Sequence, residues 1–178
     1  MRGLIGRHVR DALIAACRAL MPDVEVSDGY SLLNDDRDTL YVGVADPWSK
    51  GPARASSSDL EWATASRPGG RNQDGTITLL AMAIRGDPDI KAARDRAYEI
   101  VETVDELARQ GWGRRPDDGG LVVILPTAMV PGGEVPAVDA KVDGLLSLAI
   151  THEDLDELQP ETGVEVGVTF ILSYRARI

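Results

Sequence analysis

The end of the chain constrains the fold more than any other stretch. Val164, Val166, Val168, Phe170, Leu172, Tyr174, Ala176 and Ile178 alternate with Glu165, Gly167, Thr169, Ile171, Ser173, Arg175 and Arg177. Successive side chains of a β-strand point to opposite faces, so an apolar set at every second position marks a long strand with one buried face. Such a strand is not stable alone. It requires neighbouring strands and an apolar layer to cover it.

Two segments can supply that layer. Over 4–21, Val9, Leu13, Ile14, Cys17, Leu20 and Met21 recur at spacings of three and four, the signature of an amphipathic helix, and Pro22 stops it. Over 88–110, Ile90, Ala93, Ala97, Ile100, Val101, Val104, Leu107 and Ala108 form a second stripe opposite a charged face that includes Lys91, Arg94, Asp95, Glu99 and Glu102. Asp87 is expected as its N-cap with Pro88 at the first helical position, and Gly111 is expected to close it in a left-handed conformation. The first segment has basic and apolar residues like a secretory leader, but Arg7, Arg10, Asp11 and Arg18 interrupt its apolar run, so it reads as a cytosolic amphipathic helix.

Shorter strands are expected at 24–30, 39–45, 121–130 and 142–151, with Pro126 turning the second half of 121–130 into an edge or a bend. The runs 59–66 and 76–84 flank RPGGRNQDG, which is all turn formers and polar groups; they read as a long β-hairpin with a mobile tip. Because strands come in runs rather than alternating with helices, the expected class is α+β, a mainly antiparallel sheet with both helices packed on one face. The whole chain, 1–178, reads as a single domain with mobile loops at 46–58, 66–75, 113–120 and 152–163. The last of these, HEDLDELQPETG, is expected as an acidic loop.

Composition narrows the function. Hydrophobic residues make up 43% of the 178 and aromatics 4%, with one Phe, so the core must be aliphatic. The formal net charge is -10, and a nucleic-acid surface of the usual kind needs a basic footprint this chain lacks. The single cysteine, Cys17, excludes a disulfide framework and a thiolate metal cluster. No apolar run reaches the ~18 residues of a membrane helix.

Catalytic constellations are missing as well. His8 and His152 are far apart in sequence. His152, Glu153, Asp154 and Asp156 are close enough to consider as cation ligands, but a solvated acidic segment explains them. Ser56, Ser57 and Ser58 lie in a loop without a nucleophile elbow. The glycine-rich pieces 67–72, 111–113 and 131–135 match no phosphate loop and read as turns. Arg85-Gly86-Asp87 spells RGD, but its place is a strand end and a helix cap. No enzyme, cofactor or metal is expected. With 29 acids available a carboxylate pair remains open, which keeps a small hydrolase or ligand-binding domain as the rival class.

Two features point to surfaces. Trp48 and Trp112 fall in expected loops, where a large aromatic either anchors the loop or serves an interface. Arg2, Arg7, Arg10 and Arg18 face only Asp11 in the first 20 residues, an asymmetry that head-to-tail assembly of an acidic chain can use as well as a solvated helix face.

The order of these pieces resembles the tail terminator family of long-tailed phages. The likeness is carried by the opening helix ending at MPD, the strand and turn VEVSDGY, the hairpin SDLEWATASRPGGRNQDGTITLLAMAI with Arg71 before its second strand, the passage through RGDPDI into AARDRAYEIVETVDELAR, and the closing strand GVEVGVTFILSYRARI. It covers nearly the whole chain, although the segments 152–163 and 46–58 are not required by it. The resemblance implies a structural virion protein of the tail or neck, assembled in the host cytoplasm. It implies a homo-hexameric ring that caps the tail tube, meets the tail tube protein and the head-tail connector or head-closure protein, and lets DNA pass through its lumen without specific binding. Another neck component, a head-closure protein or head-tail adaptor, is the rival within the class. Arg2, Arg7, Arg10, Trp48, Arg67, Arg71, Trp112, Arg114 and Arg115 are the candidate contacts with subunits or partners.

Overall fold

A computed structural model describes residues 5–30, 37–45, 55–62, 71–86, 89–114, 121–123, 141–142, 145–158 and 164–177. The elements are α1 (Gly6–Leu20), β1 (Glu25–Asp28), β2 (Thr39–Val42), β3 (Ser56–Trp62), β4 (Arg71–Arg85), α2 (Ile90–Gln110), β5 (Trp112–Arg114), β6 (Leu121–Val123), β7 (Lys141–Val142), β8 (Leu145–Leu158) and β9 (Val164–Arg177). This is the expected α+β class.

The terminal strand sits where its alternation demands. β9 pairs antiparallel with β4 over its whole length, from Val164 opposite Arg85 to Arg177 opposite Asn72, and with β8 on its other side. The main sheet runs β1-β2-β4-β9-β8. β4 is long enough to hold two strands end to end on its remaining edge. β3 pairs its first half, Ser56 opposite Ile77 to Trp62 opposite Arg71, and β2 its second half, Val42 opposite Leu79 to Thr39 opposite Met82. Thr78 joins the two: its N–H donates to Ala55 O, and its carbonyl accepts from Gly43 and Val44. β1 joins β2 in parallel; the other described pairs are antiparallel. A small sheet, β5-β6-β7, follows α2.

Both helices lie on one face of the main sheet. The apolar stripes of α1 and α2 share a continuous core with Val164, Val166, Val168, Phe170, Leu172, Tyr174 and Ala176 of β9 and Ile77, Leu79, Ala81 and Ala83 of β4. Phe170, the single Phe, is fully buried at the centre. The far face is not uniformly wet. Tyr41, Val44, Leu80 and Met82 form a second buried cluster there, and Tyr30 leans on Tyr41 with ring centroids 5.5 Å apart.

Several expectations need correction. Asp89, not Asp87, caps α2, its side chain accepting from the Ala92 N–H at 3.0 Å; Asp87 and Pro88 lie outside the described residues. Gly111 is not left-handed: its φ is -76°, and it is glycine for lack of room, since a Cβ there would stand 2.8 Å from the Leu107 carbonyl oxygen. The expected loops are shorter than drawn. β3 takes Ser56 to Ser58, β4 begins at Arg71, and β5 takes Gly113 and Arg114, because partner strands run past the apolar segments that marked them. The largest change is at 152–158, expected as an acidic loop, which continues β8 to Leu158 opposite Glu165. An edge strand needs no buried face when its neighbour supplies the hydrogen bonds, so alternation does not reveal it. The hairpin tip at 63–70, the second half of 121–130 and residues 159–163 lie outside the described residues.

Candidate functional site

The end of the sheet near the start of α1 holds a buried polar arrangement. Gly75 is a glycine inside a strand because its cross-strand partner is Tyr174, whose ring occupies the space of a Cβ. The same hydroxyl lies against Gly6. Gln73, only 1% exposed, donates from Nε2 to Tyr174 Oη at 3.1 Å and accepts the Ile5 N–H at 3.0 Å. One buried amide thus joins β4, β9 and the start of α1. Burial raises the Tyr174 phenol, and the Gln73 hydrogen bond offsets part of that.

Above this plug, in the fork where β2 and β3 part along β4, opens a cleft of about 490 Å³. Arg7, Arg10 and Asp11 of α1, Asp28 of β1, Ser56 and Ser57 of β3, and the buried Gln73 and Tyr174 line it. Its charges answer one another. Arg10 is hydrogen-bonded to Asp28, and Arg7 faces Asp11 at 3.7 Å. Arg10 also packs over Gly43, which has φ +72° and where a Cβ would meet the guanidinium at 2.8 Å. The described lining of the cleft has serines and aspartates but no histidine or cysteine. Among the described residues no three His, Cys, Asp or Glu side chains group as metal ligands.

A second network clamps the opposite end. Asp38 accepts from Arg85 at 2.7 Å and from Arg96 Nε at 3.0 Å, and Arg96 also meets Glu99 at 2.6 Å and Asp23. Burial alone would raise the Asp38 carboxyl, but the hydrogen bonds and charges of Arg85 and Arg96 outweigh it and hold it below its ordinary value. Desolvation likewise works against the Arg96 charge, and Glu99, Asp38 and Asp23 more than restore it. On the sheet surface Arg175 holds Asp74 at 2.7 and 3.1 Å, which lowers that carboxyl. Next to that pair, Ser57 bonds to Thr76 at 2.8 Å and Thr151 to Ser173 at 2.9 Å. With Thr76 opposite Ser173, hydroxyls run across four strands.

Of the predicted contact residues, Arg7, Arg10, Arg71, Trp112 and Arg114 are among the described residues. Arg7 is exposed on α1, but Arg10 is engaged by Asp28, and Arg18 donates to Val26 O at 2.9 and 3.1 Å. Arg10 and Arg18 therefore fasten α1 to β1. Trp112 is not in a loop: it belongs to β5, is half-buried and packs against the main core, so it is an anchor. Arg114 ends the same strand and Arg71 opens β4 opposite Trp62. Arg2, Trp48, Arg67 and Arg115 lie outside the described residues. Sequence reasoning missed Gln73, Tyr174, Asp38 and Arg96. The glycine at 75, in the middle of an otherwise side-chain-bearing run, was the available sign that something large approaches there.

No protein-family model matches this chain, and no curated protein sequence does either. Among solved structures it is similar to a chain from the virion of a native gene transfer agent particle, with a TM-score of 0.40 and 14% identity, over 98% of this chain and 92% of that one. A likeness at that level decides neither family nor function.

Proposed function

We propose that this protein is a structural virion component of a phage-type tail, a terminator that closes the tail tube as a ring around the DNA channel, and not an enzyme. One observation carries the reading beyond the order of elements. Polar side chains such as Arg10, Arg18, Gln73, Asp38 and Arg96 hold sheet and helices together, while the 14-residue edge strand β8 has no described strand on its outer side and offers that side to another chain. The net charge of -10 per copy fits a channel wall that DNA slides past without sticking. A head-closure or head-tail adaptor role satisfies the same surfaces and is the reading to beat.

The test is light scattering and negative-stain imaging of the purified protein, alone and mixed with tail tubes. A sixfold ring with a central hole, or rings capping the tube ends, supports a terminator. Binding to the connector with no affinity for tube ends transfers the chain to the adaptor role. The cleft beside α1 is the observation that favours a small ligand-binding domain. A compact monomer that ignores tubes and takes up a small molecule displaceable by Arg7→Ala would support that rival.

A further inference from the structure

The described sheet ends in strands with open edges, and one of them is both long and exposed. β8 runs 14 residues with β9 on one side and no described strand on the other. From Leu146 to Asp154, Leu146, Ser147, Ala149, Thr151, His152, Glu153 and Asp154 are exposed, and only Leu148 and the half-buried Ile150 turn inward. About half the peptide groups of such an edge face away from their partner and are ready to pair with another strand.

Two irregularities divide this edge. Register shifts fall between Leu145 and Ser147 and between Ile150 and His152, and bulges of this kind bend an edge and discourage pairing. Beyond them, His152 to Leu158 pair in unbroken register with Ile171 to Glu165. That regular stretch contains Glu153, Asp154, Asp156 and Glu157. Glu153 stands opposite Phe170 on the helix side and Asp154 opposite Thr169 on the other, so carboxylates lie on both faces of the edge. The exposed Glu153 and Asp154 have no ion-pair partner among the described residues. Asp11, Asp23, Asp28, Asp38, Asp74, Asp95, Glu99 and Asp105 each have one.

We infer that the outer half of β8, from His152 to Leu158, is a docking edge for an extended, lysine- or arginine-bearing segment of a different protein, added as a further strand. A second copy of this chain is a poor occupant. The described open edges of its main sheet are acidic too, with Asp59 and Glu61 on β3 and Glu25 on β1, and the edges that carry a basic residue, β5 with Arg114 and β7 with Lys141, are only three and two residues long. Pairing β3, β1 or another β8 with this edge sets like charges opposite each other, which destabilises a strand pair. Opposite charges on the incoming strand reverse that sign, and the backbone supplies the rest of the affinity. The inference does not rest on the ring: it holds for a monomer as well.

The experiment uses short synthetic peptides against the full-length protein, read by fluorescence anisotropy and by hydrogen exchange of the β8 amides. The peptides are a strand-forming sequence bearing lysines, the same sequence bearing glutamates, and a lysine sequence interrupted by prolines. The lysine strand should bind about tenfold more tightly than the glutamate one and should slow exchange at 152–158. Glu153→Lys/Asp154→Lys, at exposed positions that leave the fold intact, should invert the preference. Equal binding by the proline-interrupted peptide, without protection of β8, would reduce the effect to general attraction by an acidic surface and overturn the inference. Protection of 152–158 that rises with protein concentration in the absence of peptide would overturn it in favour of a second copy.

Discussion

Tyr174 illustrates how one side chain sets the identity of others at a distance. Its ring fills the place of a Cβ at Gly75, its hydroxyl crowds Gly6, and Gln73 is its hydrogen-bond partner. Gly75→Ala should therefore destabilise the protein by about 1–3 kcal/mol, the usual cost of forcing an atom into a filled site, measured by urea unfolding. Wild-type stability in Gly75→Ala would mean that the ring moves freely. Asp38 is the second residue on which much turns. Asp38→Asn should cost roughly 1–3 kcal/mol at neutral pH, because Arg85 and Arg96 lose their shared anion in a part-buried place. The pH dependence has a fixed sign. The folded pKa of Asp38 is lowered, so its contribution is present above the ordinary carboxylate range near ~3.9 and fades as pH falls through the folded value. The gap between wild type and Asp38→Asn should narrow below about pH 4 in acid titrations of stability. Cys17 offers a third test. It is fully buried on the helix stripe, and burial pushes its thiol up to about 12. Thiol reagents should label it only through unfolding, at a rate slowed by about a thousandfold or more relative to denatured chain. Rapid labelling of native protein would show that α1 detaches readily.

At the scale of elements, the two helices are secured differently. α2 has a side-chain cap at Asp89, a basic residue in its last turn and a stripe buried from Ala93 to Ala108. Asp89→Ala should cost about 1 kcal/mol in thermal or urea unfolding, the typical worth of such a cap. α1 has no side-chain cap and no acidic residue in its first turn. Its start is held instead by the Ile5 N–H bonded to Gln73, and its flank by Arg10 and Arg18 reaching β1. Of the strands, β4 and β9 are paired on both sides and β8 on one. Amide exchange should rank accordingly, slowest at Leu79–Ala83 and Val166–Leu172 and fast at 152–158 when nothing is docked.

At the scale of the whole molecule, charge and topology act together. Arg7, Arg10, Arg85, Arg96, Arg109 and Arg175 are paired with acids within the chain, and the net charge of -10 leaves excess acid on surfaces such as the β8 edge. Assembly of identical copies must then work against repulsion that salt screens. If the ring proposed here forms, it should form more readily as ionic strength rises from low to physiological, followed by light scattering. Dissociation on adding salt would instead point to contacts dominated by opposite charges.

Much of this architecture was legible in the chain itself, because burial of one face imposes a period. The spacings in α1, α2 and β9 are local records of which side meets the core, and the structure keeps them over the described residues, outside which Ile178 lies. The α+β class follows from the order of those records. What has no period was invisible. The acidic run at 152–158 is a strand only because β9 offers hydrogen bonds beside it. Arg10 and Arg18 look like a free basic face until Asp28 and the Val26 carbonyl are brought against them. Gln73, Tyr174, Asp38 and Arg96 find their partners across 101, 47 and 58 residues of sequence. Alternation and helical spacing determine which residues are buried. Which polar groups meet, and which edge is left open, depends on contacts between distant segments and is decided only when the sheet closes around β4 and β9.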